Sequence, residues 1–93
     1  MPSATAADVR QLVIDWLDDQ YHFGEAEAMI GDDARSFLQN GILDSLGFVR
    51  LVLHLEDTYR IRIDRKELTP QNFDSLAKIV GYVTAHPGVR GSA

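Results

Sequence analysis

The chain has 93 residues, a formal net charge of −5 and no cysteine. That length suits one small domain burying roughly 60–65% of its unfolded surface, enough for a core but too little for a deep catalytic cavity. The acidic balance argues against nucleic acid or an anionic membrane as the main partner. The missing thiols exclude disulfide scaffolds, thiolate zinc sites and cysteine nucleophiles.

No apolar run approaches the ~18 residues of a membrane span. Met1-Pro2-Ser3-Ala4-Thr5 has no basic stretch followed by an apolar core, so a cytoplasmic location is the expectation. The charge is uneven. Residues 1–40 hold eight acids and two bases, residues 41–60 three and two, and residues 61–93 three and five. An acidic docking surface is therefore expected to draw on the first 40 residues.

Val9, Leu12, Val13, Trp16 and Leu17 recur at helical spacing, and Thr5 with Asp8 resembles a capping box. The pattern predicts a helix over residues 6–20. Residues 24–40 carry Gly24, Gly31, Asp32 and Asp33 with no sustained period, which predicts a long loop pinned by Phe37, Leu38 and Ile42. A second helix starts near Asp44-Ser45 and runs to Tyr59. At ~100° per residue, Phe48, Leu51, Val52, Leu55 and Tyr59 form its core stripe. Leu46, Val49 and Leu53 form a second strip close to Ser45, with Arg50, His54, Asp57 and Thr58 on the remaining side. The apolar surface is wider than one packing stripe needs, so the second strip is either further core or a partner surface.

Ile61-Arg62-Ile63 alternates like a strand without a partner and reads as an extended connector. One short helical turn is expected over residues 64–68, and Thr69-Pro70-Gln71-Asn72 is turn chemistry. A last helix runs from Asp74 or Ser75 to Ala85 and buries Leu76, Ile79, Val80 and Val83. His86-Pro87-Gly88 stops it, and residues 89–93 form a loose tail. The expected architecture is an all-α single domain with its core over residues 6–85, three main helices plus a short one, a long first loop and no sheet.

His22, His54 and His86 are far apart, and Asp32-Asp33 lacks the pattern of a calcium loop, so no metal site is expected. A phosphate-cradling Gly-rich loop is missing too. Ser45, His54 and Asp57 cannot act together, because nine helical residues separate Ser45 from His54 by ~13 Å. His54 reads instead as a solvated helix residue. What remains is Ser45 itself, at a helix start where Asp44 is a good N-cap and the dipole favours a negative group.

The run from Ser36 to Leu46, then Leu51 to Ile63, and the run from Glu67 to Val80 resemble the acyl and peptidyl carrier protein family. The resemblance covers residues 6–85. It implies a four-helix carrier bundle that is not an enzyme. The serine of Asp44-Ser45-Leu46 would bear 4′-phosphopantetheine, installed from coenzyme A by a phosphopantetheinyl transferase, and the arm's thiol would hold acyl or aminoacyl groups as thioesters. The implied partners are an adenylate-forming ligase or acyltransferase and downstream synthases, with Leu46, Val49, Arg50 and Leu53 as the partner surface of a monomer. Asp74-Ser75-Leu76 repeats the triplet, but its surroundings match the family's last helix, which leaves Asp74 or Ser75 a capping role. Carriers of fatty acid synthesis typically read Gly-x-Asp-Ser-Leu-Asp with another acid three residues later. Here Gly41 lies one residue further from the serine, and Gly47 and Arg50 hold the two acidic positions. The pattern looks more like stand-alone carriers of specialised pathways, including D-alanyl carriers and discrete polyketide or nonribosomal peptide carriers. The alternative is an unmodified carrier-like fold serving as an interaction subunit.

Overall fold

The computed structural model describes residues 5–22 and 24–86. Thr5 and Asp8 start the first helix together: the Thr5 hydroxyl accepts from the Asp8 N–H at 3.2 Å and donates to its carboxylate at 2.7 Å. This helix, α1 (Ala6–Leu17), fully buries Val9, Val13 and Leu17 and leaves Leu12 and Trp16 half-buried. It ends earlier than the apolar period suggests, relaxing into a π turn over Asp18–His22. Asp18 there turns its carboxylate to the Ala26 N–H at 2.7 Å.

That bond caps α2 (Ala26–Ile30), because Glu25 at its N-cap makes no side-chain bond. The expected long loop thus contains a short helix. Five residues make about one and a half turns, too few to display a period, and only Ala26 and Ile30 of them are buried. The chain then crosses back under tether. The Arg10 guanidinium grips Asp33 through two bonds of 2.9 and 3.1 Å and reaches Glu27 at 3.5 Å. Phe37 is fully buried, with Ile42 and Leu43 beside it. Both of those residues donate their N–H to the Phe37 carbonyl, at 2.9 and 3.3 Å. Gly41 closes this turn at φ +67°, a left-handed conformation that side-chain-bearing residues rarely adopt.

The longest helix, α3 (Ser45–Tyr59), buries Phe48, Leu51, Val52, Leu55 and Tyr59. Arg60 ends it in the left-handed conformation, and the Ile61 N–H returns to the Glu56 carbonyl at 3.1 Å. The Glu56 carboxylate accepts the Ile63 N–H at 2.8 Å, which fixes the connector with Ile61 and Ile63 facing the core. A short 3-10 turn (Arg65–Glu67) follows, capped by Asp64. The Thr69-Pro70-Gln71-Asn72 segment, expected as a turn, opens a single helical turn instead, α4 (Pro70–Phe73), with Pro70 at the position where its missing N–H is harmless. Ser75 caps the last helix, α5 (Leu76–Ala85), accepting from the Lys78 N–H at 3.1 Å. Leu76, Ile79 and Val83 are buried as expected, whereas Val80 is half-buried. The tail expected over residues 89–93 lies outside the described residues.

Helices α1 and α5 pack together more extensively than any other pair of elements among the described residues. No strand occurs among them, so the bundle is all-α, with three main helices and short helical pieces between.

Asp74 ties the loop to this frame. It is nearly fully buried. Its carboxylate accepts from the Ser36 hydroxyl and from the Leu38 N–H at 2.9 Å, and its carbonyl accepts the Phe37 N–H at 2.8 Å. One turn on, the Ala77 N–H donates to the Asp33 carbonyl at 2.9 Å. The segment that leads into α3 is thereby anchored to α1 through Asp33 and to the start of α5.

Candidate functional site

The anchored loop delivers the chain to Asp44 in an extended conformation. The Asp44 carboxylate accepts the Gly47 N–H at 2.7 Å, and its carbonyl accepts the Phe48 N–H at 2.9 Å. Those two bonds fix the first turn of α3. Ser45, the first helical residue, is exposed. The N–H groups of Ser45 and Leu46 have no partner among the described residues. An exposed hydroxyl therefore sits beside two open donors at the positive end of a 15-residue helix. A phosphodiester on this oxygen meets no burial penalty and finds donors to satisfy it.

Ser75, the other serine in an Asp-Ser-Leu triplet, is 1% exposed and spends its oxygen on the α5 cap. The two triplets are alike in sequence and opposite in accessibility.

Leu46, Val49 and Leu53 stand on the solvent side of α3, 59%, 40% and 57% exposed. This settles the choice between further core and open surface. Arg50 is exposed next to them. The strip borders a groove of about 570 Å³ between α3 and the connector, with Val49, Val52, Leu53, Ile63 and Leu68 as its apolar wall and Glu56 and Arg65 as its polar members.

One sequence expectation needs correction. His54 is half-buried and stacks on Trp16 of α1, with ring centroids 5.9 Å apart and planes at 25°. The stack depends on how α1 crosses α3, which no local pattern encodes. Gly47, at one of the two positions that are acidic in fatty acid synthesis carriers, is buried.

Elsewhere, burial first and then the Glu67 carboxylate push the Tyr82 phenol well above its ordinary range; the two groups share a hydrogen bond. Burial, helped by the charge of Asp8, also raises the Tyr59 phenol, whose oxygen has no hydrogen-bond partner among the described residues. Neither lies near Ser45 in the chain. No group of three His, Cys, Asp or Glu side chains suited to a metal occurs among the described residues, and no helix among them is long and apolar enough to cross a membrane.

A small helical bundle that offers one exposed serine at the head of its longest helix, with an open apolar strip behind it, has the form of a carrier. Sequence comparison agrees. The chain is 31% identical over 72 residues to the D-alanyl carrier proteins of Streptococcus pyogenes serotypes M5 (strain Manfredo), M49 (strain NZ131) and M1, covering 77% of this chain and 86% of each relative. The chain belongs to the acyl carrier protein family. No family model and no solved structure matches it.

Proposed function

We propose that this chain is a single-domain, cytoplasmic carrier of acyl or aminoacyl groups, with Ser45 as the attachment point of a 4′-phosphopantetheine arm. The observation that carries the reading is the Ser45 hydroxyl, exposed at the N-terminus of α3 beside two unpartnered N–H groups. When bound, the arm supplies a flexible tether ending in a thiol that holds cargo as a thioester, which a chain without cysteine lacks. The Ser45 oxygen takes the phosphate of coenzyme A, gives up its proton, and releases adenosine bisphosphate in the transferase reaction. Asp44 keeps the serine at the first helical position by holding Gly47 and Phe48. Leu46 lies next to the attachment point, open to a partner.

The chain itself presents cargo rather than transforming it: on α3 the nine residues from Ser45 to His54 span ~13 Å of helix, too far for the imidazole to act on the serine. An adenylate-forming ligase fits as the charging enzyme, on two grounds. The relatives are named for a D-alanyl cargo, which is an aminoacyl group. The two positions that fatty acid synthesis carriers fill with acids hold a buried glycine and Arg50 here.

The test is intact mass after incubation with coenzyme A and a broad-specificity transferase, followed by peptide mapping. One arm on Ser45 is expected, and Ser45→Ala abolishes the gain. A chain that stays unmodified, with Ser45 still accessible to the transferase in the folded state, supports the alternative of an interaction subunit. The pathway reading is tested on the armed protein: a ligase for amino or small carboxylic acids should load it faster than a malonyl transferase of fatty acid synthesis. Efficient malonyl loading would remove the specialised-pathway reading and leave the carrier reading intact.

A further inference from the structure

A second groove, of about 400 Å³, lies between α1 and α3. Leu12 and Trp16, both half-buried, and His54, stacked on the Trp16 ring, make its apolar and aromatic wall. Three exposed carboxylates line it as well, Asp8, Asp15 and Asp19. Asp8 and Asp15 are two helical turns apart, so they stand on one face of α1 about 10 Å from each other. Asp19 follows in the π turn. The groove is not part of the attachment site. At about 100° per residue, the step from Ser45 to His54 ends half a turn round α3, so the groove opens on the side away from the serine.

No Lys or Arg lines this groove. Arg10, the one base of α1, is committed to Asp33 and Glu27. Gln11 donates to Asp15 at 2.8 Å and the Thr5 hydroxyl donates to Asp8 at 2.7 Å, but both donors are neutral, so the carboxylates keep their charge. Among the described residues neither Asp15 nor Asp19 is in an ion pair. The neighbouring exposed groups on α3 and its cap are Arg50, Asp57 and Arg60. With these counted in, acids still outnumber bases four to two. Carboxylates beside an indole attract an ammonium or guanidinium, and the aliphatic stem behind such a group packs on apolar side chains.

We propose that this groove docks a basic helical segment of a partner protein, with Lys or Arg side chains one heptad apart meeting Asp8 and Asp15 and their stems covering Leu12 and Trp16. The heptad follows from the acids: residues seven apart on a helix stand about 10 Å from each other on one face, the same interval that separates Asp8 from Asp15. The apolar and aromatic wall gives contact area, and the carboxylates give orientation and association rate. The proposal goes beyond the carrier reading and does not depend on it. A partner seated here leaves Ser45 open, so the chain can be held by α1 while its serine is served from the other side.

Trp16 is the chain's one tryptophan, so its fluorescence reports on this groove alone. The experiment titrates the full ¹⁵N-labelled chain with two Trp-free helical peptides that share a Leu and Ala stripe, one with Lys at heptad spacing and one with Glu at the same positions. The Lys peptide should shift the Trp16 emission and the amides of Gln11, Asp15, Asp19 and His54, and leave those of Ser45 and Leu46 in place. It should bind about tenfold more tightly than the Glu peptide at low salt, a preference that added salt erases. D15K combined with D19K should reverse the preference while the remaining amide spectrum stays that of the folded chain. Equal binding or preference for the Glu peptide overturns the proposal, as do shifts centred on Leu46 and Leu53 instead. Spermine binding as tightly as the Lys peptide overturns the helical partner, since charge alone would then suffice. Shifts of the groove amides with protein concentration alone also overturn it, since the occupant would be a second copy. The mass gain on Ser45 should be the same with and without the Lys peptide; a gain blocked only by the peptide overturns the separation of the two faces, and no gain in either case is a failure of the carrier reading alone.

Discussion

Asp74→Ala removes the tie that holds the approach to Ser45. The change deletes a buried carboxylate that accepts from the Ser36 hydroxyl and the Leu38 N–H, and leaves both donors without their partner. A hydrogen bond to a charged group contributes ~1.5–3 kcal/mol, and a donor left unsatisfied in a buried place costs ~1–3 kcal/mol. The Phe37 N–H bond to the Asp74 carbonyl survives, and Ser36 is half-buried so water can replace part of its loss. The expected destabilisation is therefore about 3 kcal/mol, toward the lower part of the summed range. A chain of this size has a total stability of roughly 5–14 kcal/mol, so the variant gives up a large share of it. Urea titration followed by far-UV circular dichroism reads the change. Asp74→Asn keeps an acceptor for Leu38 and should lose less than half as much. A loss under about 1 kcal/mol for Asp74→Ala, the scale of a surface substitution, would refute the anchoring argument.

Leu53→Ala should cost well under 1 kcal/mol, because the side chain is 57% exposed, whereas Leu51→Ala at 1% exposure should cost 2–5 kcal/mol; paired urea titrations check the contrast. Ser75→Ala loses the α5 cap and about 1 kcal/mol of stability but keeps the mass gain on Ser45. The phenols of Tyr59 and Tyr82 are both raised in the folded chain, so the unfolded chain ionises first. Their stabilising effect is full below the unfolded value of ~10 and is lost as pH rises above it. Tyr82→Phe should flatten that alkaline loss in urea titrations between neutral and strongly basic pH.

What the sequence made legible is what local chemistry decides. Fifteen residues of α3 carry four turns of apolar period, so its core stripe and the Asp44 cap were readable, and with them Ser45, while the choice between core and surface for Leu46, Val49 and Leu53 waited on the packing. The Asp-Ser-Leu repeat was separable because the residues around Ser75 match the last helix of the carrier family. The rest depended on packing. Helix α2 is too short to show a period, and α4 hides in turn residues that suit one helical turn equally well. The burial of Gly47 and the Trp16–His54 stack come from neighbouring elements, as does the grip of Asp74 on Ser36 and Leu38 across some 36 to 38 positions of chain.

That grip has a consequence for synthesis on the ribosome. The serine emerges in the middle of the chain, but Asp74 and Ala77, which hold the approach to it, and α5, which packs on α1, all follow later. At 5–20 residues per second, the stretch from Ser45 to Ala85 takes about 2–8 s to add. During that interval the loop has Arg10 as a tether but lacks its second anchor. Translation thus imposes an order: the surface on which a transferase would dock is complete only once the last helix has left the ribosome and closed against the first.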